Sequence, residues 1–179
     1  ENYDFKISSY EKIKYNIFPL PNLEFKNTVV NLKSSEKNLQ VEKMKIYLNF
    51  LNIYDFKNFN SNKIVLKDSE LVFQILKFKN LANLLFIKKK KLIFNNLNLR
   101  IENENISVLS LDNIKFANYG YNENIIRGKA FGKKFRVKID DKYKNINLKF
   151  LNAGINADVL FDEKQTKSFK GGIFKFKIL

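Results

Sequence analysis

Leu92-Ile93-Phe94-Asn95-Asn96-Leu97-Asn98-Leu99-Arg100-Ile101 decides the fold. Leu92 and Phe94 alternate, the phase slips by one residue, and Leu97, Leu99 and Ile101 alternate again. Period-two alternation marks a strand with one apolar face. An uncompensated slip turns every later side chain to the other face. A β-bulge compensates it, because two residues of the bulged strand then oppose one on the neighbour. The same offsets recur at Leu23, Phe25, Thr28, Val30 and Leu32, and at Leu39, Val41, Met44, Ile46 and Leu48. They recur again at Ile64, Leu66, Ser69, Leu71 and Phe73. A last copy is Leu109, Leu111, Ile114 and Phe116, with Asn118 at its final place. The slips fall on polar pairs: Lys26-Asn27, Glu42-Lys43, Lys67-Asp68, Asn95-Asn96 and Asp112-Asn113. Each copy predicts a bulged strand that keeps its apolar residues on one side.

Composition narrows the function classes. The chain has 179 residues, enough for one domain with a sizeable core. Residues 1–179 are read as a single β domain. The first residue is Glu1, not Met, and the strand pattern starts almost at once, which suggests a segment of something longer. With no Cys and no His, disulfides, thiolate chemistry, the usual zinc sites and the commonest general base are all missing. The formal charge is +15, from 33 Lys+Arg against 18 Asp+Glu. Such a charge suits an anionic partner. Only three of the basic residues are Arg, however, and abundant Lys, Asn, Ile and Phe fit an A/T-rich coding bias.

Taken in order, the chain reads as many short-turned strands. Ile13, Tyr15 and Ile17 suggest a short strand after a charged, loosely patterned start. Pro19 and Pro21 then mark an extended turn or a sheet rim, since neither donates to a ladder. Phe78, Leu81, Leu84 and Leu85 fit one helical face, so a helix is predicted over 77–88, closed by Lys88-Lys89-Lys90-Lys91. Those lysines are a candidate membrane-surface contact; the alternative is a crossover or end-cap helix packed on the sheet. After Tyr119-Gly120-Tyr121-Asn122 the strands are simpler, at 125–130, 135–139, 146–150, 155–161 and 174–178. Short turns between consecutive strands predict an antiparallel meander of ten or eleven strands.

The expected fold is therefore mainly β: a long, curved, bulged antiparallel sheet forming an apolar groove, with one short helix near 77–88. Repeated bulges bend a twisted sheet and fold its apolar face into a trough. Its lining is read as Leu23, Phe25, Val30, Leu32, Val41, Met44, Ile46, Leu48, Leu66, Leu71, Phe73, Phe94, Leu97, Leu99, Ile101, Leu109, Leu111, Ile114 and Phe116. Phe135, Val137, Leu148, Phe150, Phe174 and Phe176 continue it. Such a trough suits acyl chains, although the same pattern also builds ordinary two-layer β proteins.

Phe18-Pro19-Leu20-Pro21-Asn22-Leu23-Glu24-Phe25-Lys26-Asn27 resembles the periplasmic part of AsmA-family proteins, where a Pro-containing turn leads into an alternating strand. Leu39 to Leu48 and Ile64 to Phe73 look like the strands that follow. The close is also similar, with Asn152-Ala153-Gly154, Asp162-Glu163 and Gly171-Gly172 around alternating strands. The resemblance implies a bridge-like lipid-transfer domain, tethered to the inner membrane and projecting into the periplasm. There it would bind phospholipid or another acyl-chain lipid in support of outer-membrane assembly. It implies no cofactor and no catalytic residues; from the residues themselves, no metal and no nucleic acid are expected. The chain lacks the family's N-terminal anchor and is shorter than typical members, so the anchor is expected in a segment outside it.

Three other classes compete. An enzyme is disfavoured, because Asp140-Asp141, Asp162-Glu163 and Glu102 with Glu104 lie in turn-like sequence without a nucleophile or phosphate loop. A basic nucleic-acid-binding sheet is the main alternative, on the charge, on Phe131-Gly132-Lys133-Lys134-Phe135 and on Phe174-Lys175-Phe176-Lys177. Alternation there puts Phe and Lys on opposite faces, which is unlike a stacking platform. A purely structural scaffold is the third.

Overall fold

A computed structural model describes residues 5–32, 38–49, 61–77, 91–140, 145–161 and 172–178. Its strands are β1 (Phe5–Ser9), β2 (Lys12–Asn16), β3 (Asn22–Leu32), β4 (Leu39–Leu48), β5 (Ser61–Gln74) and β6 (Lys91–Asn103). They continue with β7 (Ile106–Ala117), β8 (Ile125–Ala130), β9 (Lys133–Ile139), β10 (Asn145–Phe150), β11 (Ile155–Phe161) and β12 (Gly172–Ile178). All belong to one long, curved, open sheet. Strands β3 to β12 lie side by side in chain order, with β1 and β2 both on the free side of β3.

The edge pair is a finding the sequence did not give. β1 pairs with residues 29–32 and β2 with residues 22–26, so the two lie end to end along one neighbour. The loosely patterned start thus forms half of an edge. Between the halves, Tyr10 sets its ring edge-on to Phe25 at 5.4 Å.

The antiparallel expectation needs one correction. Every neighbouring pair is antiparallel except β5 and β6, which run parallel from Lys63↔Lys91 to Gln74↔Glu102. Parallel neighbours need a crossover instead of a hairpin, and the connection between Gln74 and Lys91 supplies it. That connection opens with a single 3₁₀ turn at Ile75–Lys77. The rest of the helix expected over 77–88 falls outside the described residues.

The slips are built differently from a row of bulges. From β3 to β6 they coincide across neighbouring strands. Lys26 pairs with Lys43 and Thr28 with Val41, leaving Asn27 across from Glu42. Glu42 in turn lies across from Asp68, and Asp68 across from Asn96. Within β3 to β6 no residue is left unopposed, but against β7 the expected bulge is present: Asn96 has no partner between the Asn95↔Lys115 and Leu97↔Ile114 pairs. On β3, β5 and β6 the phase change is made in the backbone at positive φ, with Asn27 at 46°, Asp68 at 50° and Asn96 at 66°; on β4, Glu42 makes it without one. Asn and Asp tolerate this left-handed region better than other side chains. Two-against-one pairing appears again farther on. Asn113 and Ile114 share the space opposite Gly128, between the Asp112↔Lys129 and Lys115↔Arg127 pairs. A Cβ on Gly128 would lie 3.0 Å from the Asp112 carbonyl oxygen and 3.1 Å from the Phe135 ring, so the crowded site takes glycine.

The matched slips keep one face apolar. Its buried cluster runs from Phe25 and Val30 on β3, through Met44, Leu66 and Phe94, to Ile114 and Phe116 on β7. Burying each large side chain contributes roughly 1.5–3 kcal/mol. The left-handed slip residues are what make that possible. Asn96→Val is therefore expected to lower unfolding free energy by about 1–2 kcal/mol, whereas Asn96→Gly stays close to wild type. Urea denaturation followed by circular dichroism distinguishes them, and equal stabilities would refute the backbone account.

Candidate functional site

Cross-strand register assembles two straight rows. On one face, Ile13, Phe25, Met44, Leu66, Phe94, Phe116, Ile126, Val137, Leu148, Ala157 and Phe176 are each paired directly with the next. This apolar row crosses the sheet from β2 to β12. Ten steps of about 4.8 Å give it a length of roughly 48 Å. A second apolar row lies beside it through Leu23, Ile46, Ile64 and Leu92. That row meets Asn118 next. The Asn118 side-chain oxygen accepts from the Leu92 N–H at 2.7 Å, and the Asn118 backbone N–H donates to the Leu92 carbonyl at 3.1 Å. This explains the amide at the last place of the fifth repeat: it ties the end of β7 to the start of β6.

Burial grades along the face. Phe25, Val30, Leu32, Val41, Met44, Leu48, Leu66, Leu71, Phe73, Phe94, Leu97, Leu99, Ile101, Ile114, Phe116 and Phe135 are buried. Leu23, Ile46, Leu109, Leu111, Val137, Leu148 and Phe150 are half-buried. At the far edge, Phe174 is 64% and Phe176 54% exposed, with Ile178 exposed beside them. Sequence reading missed Leu39, Ile64, Leu92, Ile139 and Ala157, all buried. The first three stood in the repeat itself, and Ile139 alternates with Val137 and Phe135. Ala157 had no signal beyond its position between Ile155 and Val159.

The neighbouring residues form the second row, on the opposite face. They are Lys12, Lys26, Lys43, Lys67, Asn95, Lys115, Arg127, Arg136, Lys149, Asn156 and Lys177. All are Lys or Arg except the two Asn. Like charges placed directly opposite destabilise a sheet. The next rows relieve some of this. Lys45 bridges to Glu24 at 3.0 Å. Farther along, Lys63 lies over the Tyr47 ring at 4.3 Å and Lys91 over Tyr119 at 5.3 Å, so this directly opposed pair rests on aromatic faces. Lys91 is thereby placed at the start of β6; Lys88, Lys89 and Lys90 lie outside the described residues.

The slip row adds a polar crease to this face. Asn27 donates to the Glu11 carboxylate, Asn96 donates to Asp68 at 2.6 Å, and the Asn113 N–H donates to Asn98 at 3.1 Å. A cleft of about 560 Å³ follows the crease, lined by Glu42, Asp68, Glu70, Asn96 and Asn98 among others. Its amides and carboxylates do not suit hydrocarbon. Among the described residues, no three His, Cys, Asp or Glu side chains are grouped to hold a metal ion. No family model and no curated protein matches the chain.

Two measurements test these electrostatics. The Lys45 contact, with Lys43 and Lys14 beyond it, holds the Glu24 carboxyl below its ordinary 4.5, against the opposing effect of burial. A lowered folded value contributes stability above the ordinary value and loses it as pH falls through the folded one. Unfolding free energy is thus expected to decline below about pH 4.5, with the Glu24 share absent in Glu24→Gln. A slope unchanged by that substitution would remove Glu24 from the account. For the cationic row, screening relieves repulsion over about 10 Å at 0.1 M salt. The melting temperature is expected to rise as NaCl increases from 10 to 150 mM, and a fall would show that attraction dominates instead.

Proposed function

We propose that this chain is a lipid-binding and lipid-transfer β domain of the AsmA type. It lays acyl chains against the apolar row, works in the periplasm, and is tethered to the inner membrane by a segment outside this chain. The observation that carries the reading is the direction of the row. It crosses the strands without interruption, so that a hydrocarbon meeting its open stretch on β9 to β12 lies across successive strands and continues the line of the buried β3–β7 core. At roughly 48 Å the row exceeds the ~30 Å hydrocarbon thickness of a bilayer. The likeness of strand rhythm and a few turn residues to AsmA proteins supports the same assignment.

The gradient of burial directs the detail. The row is closed in the β3–β7 cluster and open at both ends, at Ile13 on β2 and more widely from β9 to β12. Acyl chains therefore make first contact on β9 to β12, where Val137, Leu148 and Phe150 are half-buried and Phe174 and Phe176 are exposed. This reading needs no catalytic residue and no cofactor. The nine-cation row favours the alternative of a nucleic-acid-binding sheet. Against that alternative, Phe174 and Phe176 belong to the face opposite Lys175 and Lys177, and stacking platforms mix rings and cations on one surface.

Native mass spectrometry of protein purified without detergent checks the proposal. Phospholipid is expected on the wild type and is expected to be lost from the doubly substituted Phe174→Asp/Phe176→Asp protein, which keeps its β-sheet circular dichroism. A folded wild type that carries no lipid would overturn it.

A further inference from the structure

We infer that the β8–β9 hairpin docks this protein onto a bilayer with anionic headgroups, with Phe131 entering the interface. This deepens the lipid-transfer reading by naming a surface that meets a membrane, and it rests on that reading only for the presence of a bilayer.

The first observation is an exception. The non-glycine residues at positive φ are Asn27, Asp68, Asn96, Glu104, Asn105, Asn113, Asn124, Asn152 and Phe131. Among the described residues, Phe131 is the one apolar side chain in that set. It stands at φ 52° beside Gly132 at 73°, the two central residues of a tight hairpin turn. Such turns favour Asn, Asp or Gly at the first central position. The chain is rich in Asn and uses it at nearly every comparable site, yet here it places a ring. That ring is 79% exposed, so packing within the domain does not explain it.

The second observation is the collar of charge. Lys129 faces Lys134 directly on one side of the hairpin. Lys133 opposes Ala130, whose side chain is buried on the apolar side, so the tip carries cations on both faces. One step behind Lys129, Arg127 faces Arg136. These are two of the chain's three Arg residues, which a Lys-rich coding bias does not account for. Arg forks suit phosphate. The like-charge pairs repel one another in the free protein, and an anionic surface relieves that repulsion. A bilayer interface accepts an apolar tip and its basic collar together. A nucleic acid would use the cations but find one ring, not a series of them, to stack on.

The chain has no Trp, so Phe131→Trp places a single tryptophan at the tip, whose emission can be excited apart from that of the tyrosines. Mixed with phosphatidylglycerol-containing vesicles, its emission is expected to shift blue and to be quenched by brominated acyl chains; pure phosphatidylcholine vesicles leave it unchanged. Phe131→Asn restores a residue suited to this φ, so it keeps or raises the melting temperature while weakening vesicle binding roughly tenfold or more. Arg127→Glu/Arg136→Glu also weakens binding and reduces its salt dependence. Unchanged Trp emission with anionic vesicles, full binding by Phe131→Asn, or a response to single-stranded oligonucleotide instead of vesicles would each overturn the inference. Native mass spectrometry of Phe131→Asn separates the two readings. Retained lipid with lost docking isolates the hairpin contact. Vesicle docking by a protein that carries no lipid sinks the acyl-chain reading alone.

Discussion

One face of this sheet must stay apolar across all its strands, and everything else follows from that requirement. A strand side chain has only two directions available. An error of a single residue in any strand would send its Leu and Phe side chains to water and its Lys into the core. The chain nevertheless changes phase within its longest strands. It does so without losing the core because the phase changes fall opposite one another from β3 to β6. Left-handed Asn27, Asp68 and Asn96 make the turn, and their amides and carboxylates bond across the strands on the outer face.

The same arithmetic sets the electrostatics. Once a row of apolar residues aligns, the residues next to them in sequence align on the other face. Here those neighbours are nearly all Lys or Arg, so alignment of the core enforces alignment of charge. Lys–Glu, Lys–Tyr and amide contacts in adjacent rows offset part of the repulsion. Lys at alternate positions on β2 and β12 has another effect: it discourages these edge strands from pairing with a further sheet.

Much of this could be read in advance. Alternation located most of the strands, and the repeat offsets picked out the residues that become the core. What escaped were features set by neighbours and not by a strand's own text. The parallel β5–β6 pair depends on where a connection returns the chain, which periodicity does not encode. Matched slips and bulges look identical in one strand, because the difference lies in whether the next strand slips at the same height. Phe131 is the converse case. The sequence shows only Phe-Gly within a basic stretch; the exposed left-handed ring becomes visible when the turn closes around it. The exposure of Phe174 and Phe176 likewise follows from β12 being last in the sheet, since their pattern matches that of buried strands.

The parallel junction also bears on how the chain reaches this state. It divides the sheet into two runs, β1 to β5 and β6 to β12; apart from β1 and β2, which share β3 as neighbour, consecutive strands in each run are adjacent and antiparallel. Contacts within each run are mostly local, and local contacts form quickly. Bringing Lys63 beside Lys91 and Gln74 beside Glu102 instead requires the intervening chain to close before any of the β5–β6 bonds reward it. The topology thereby sets this seam apart: the core that spans the two runs depends on the one neighbouring pair whose contacts carry the larger loop-closure cost.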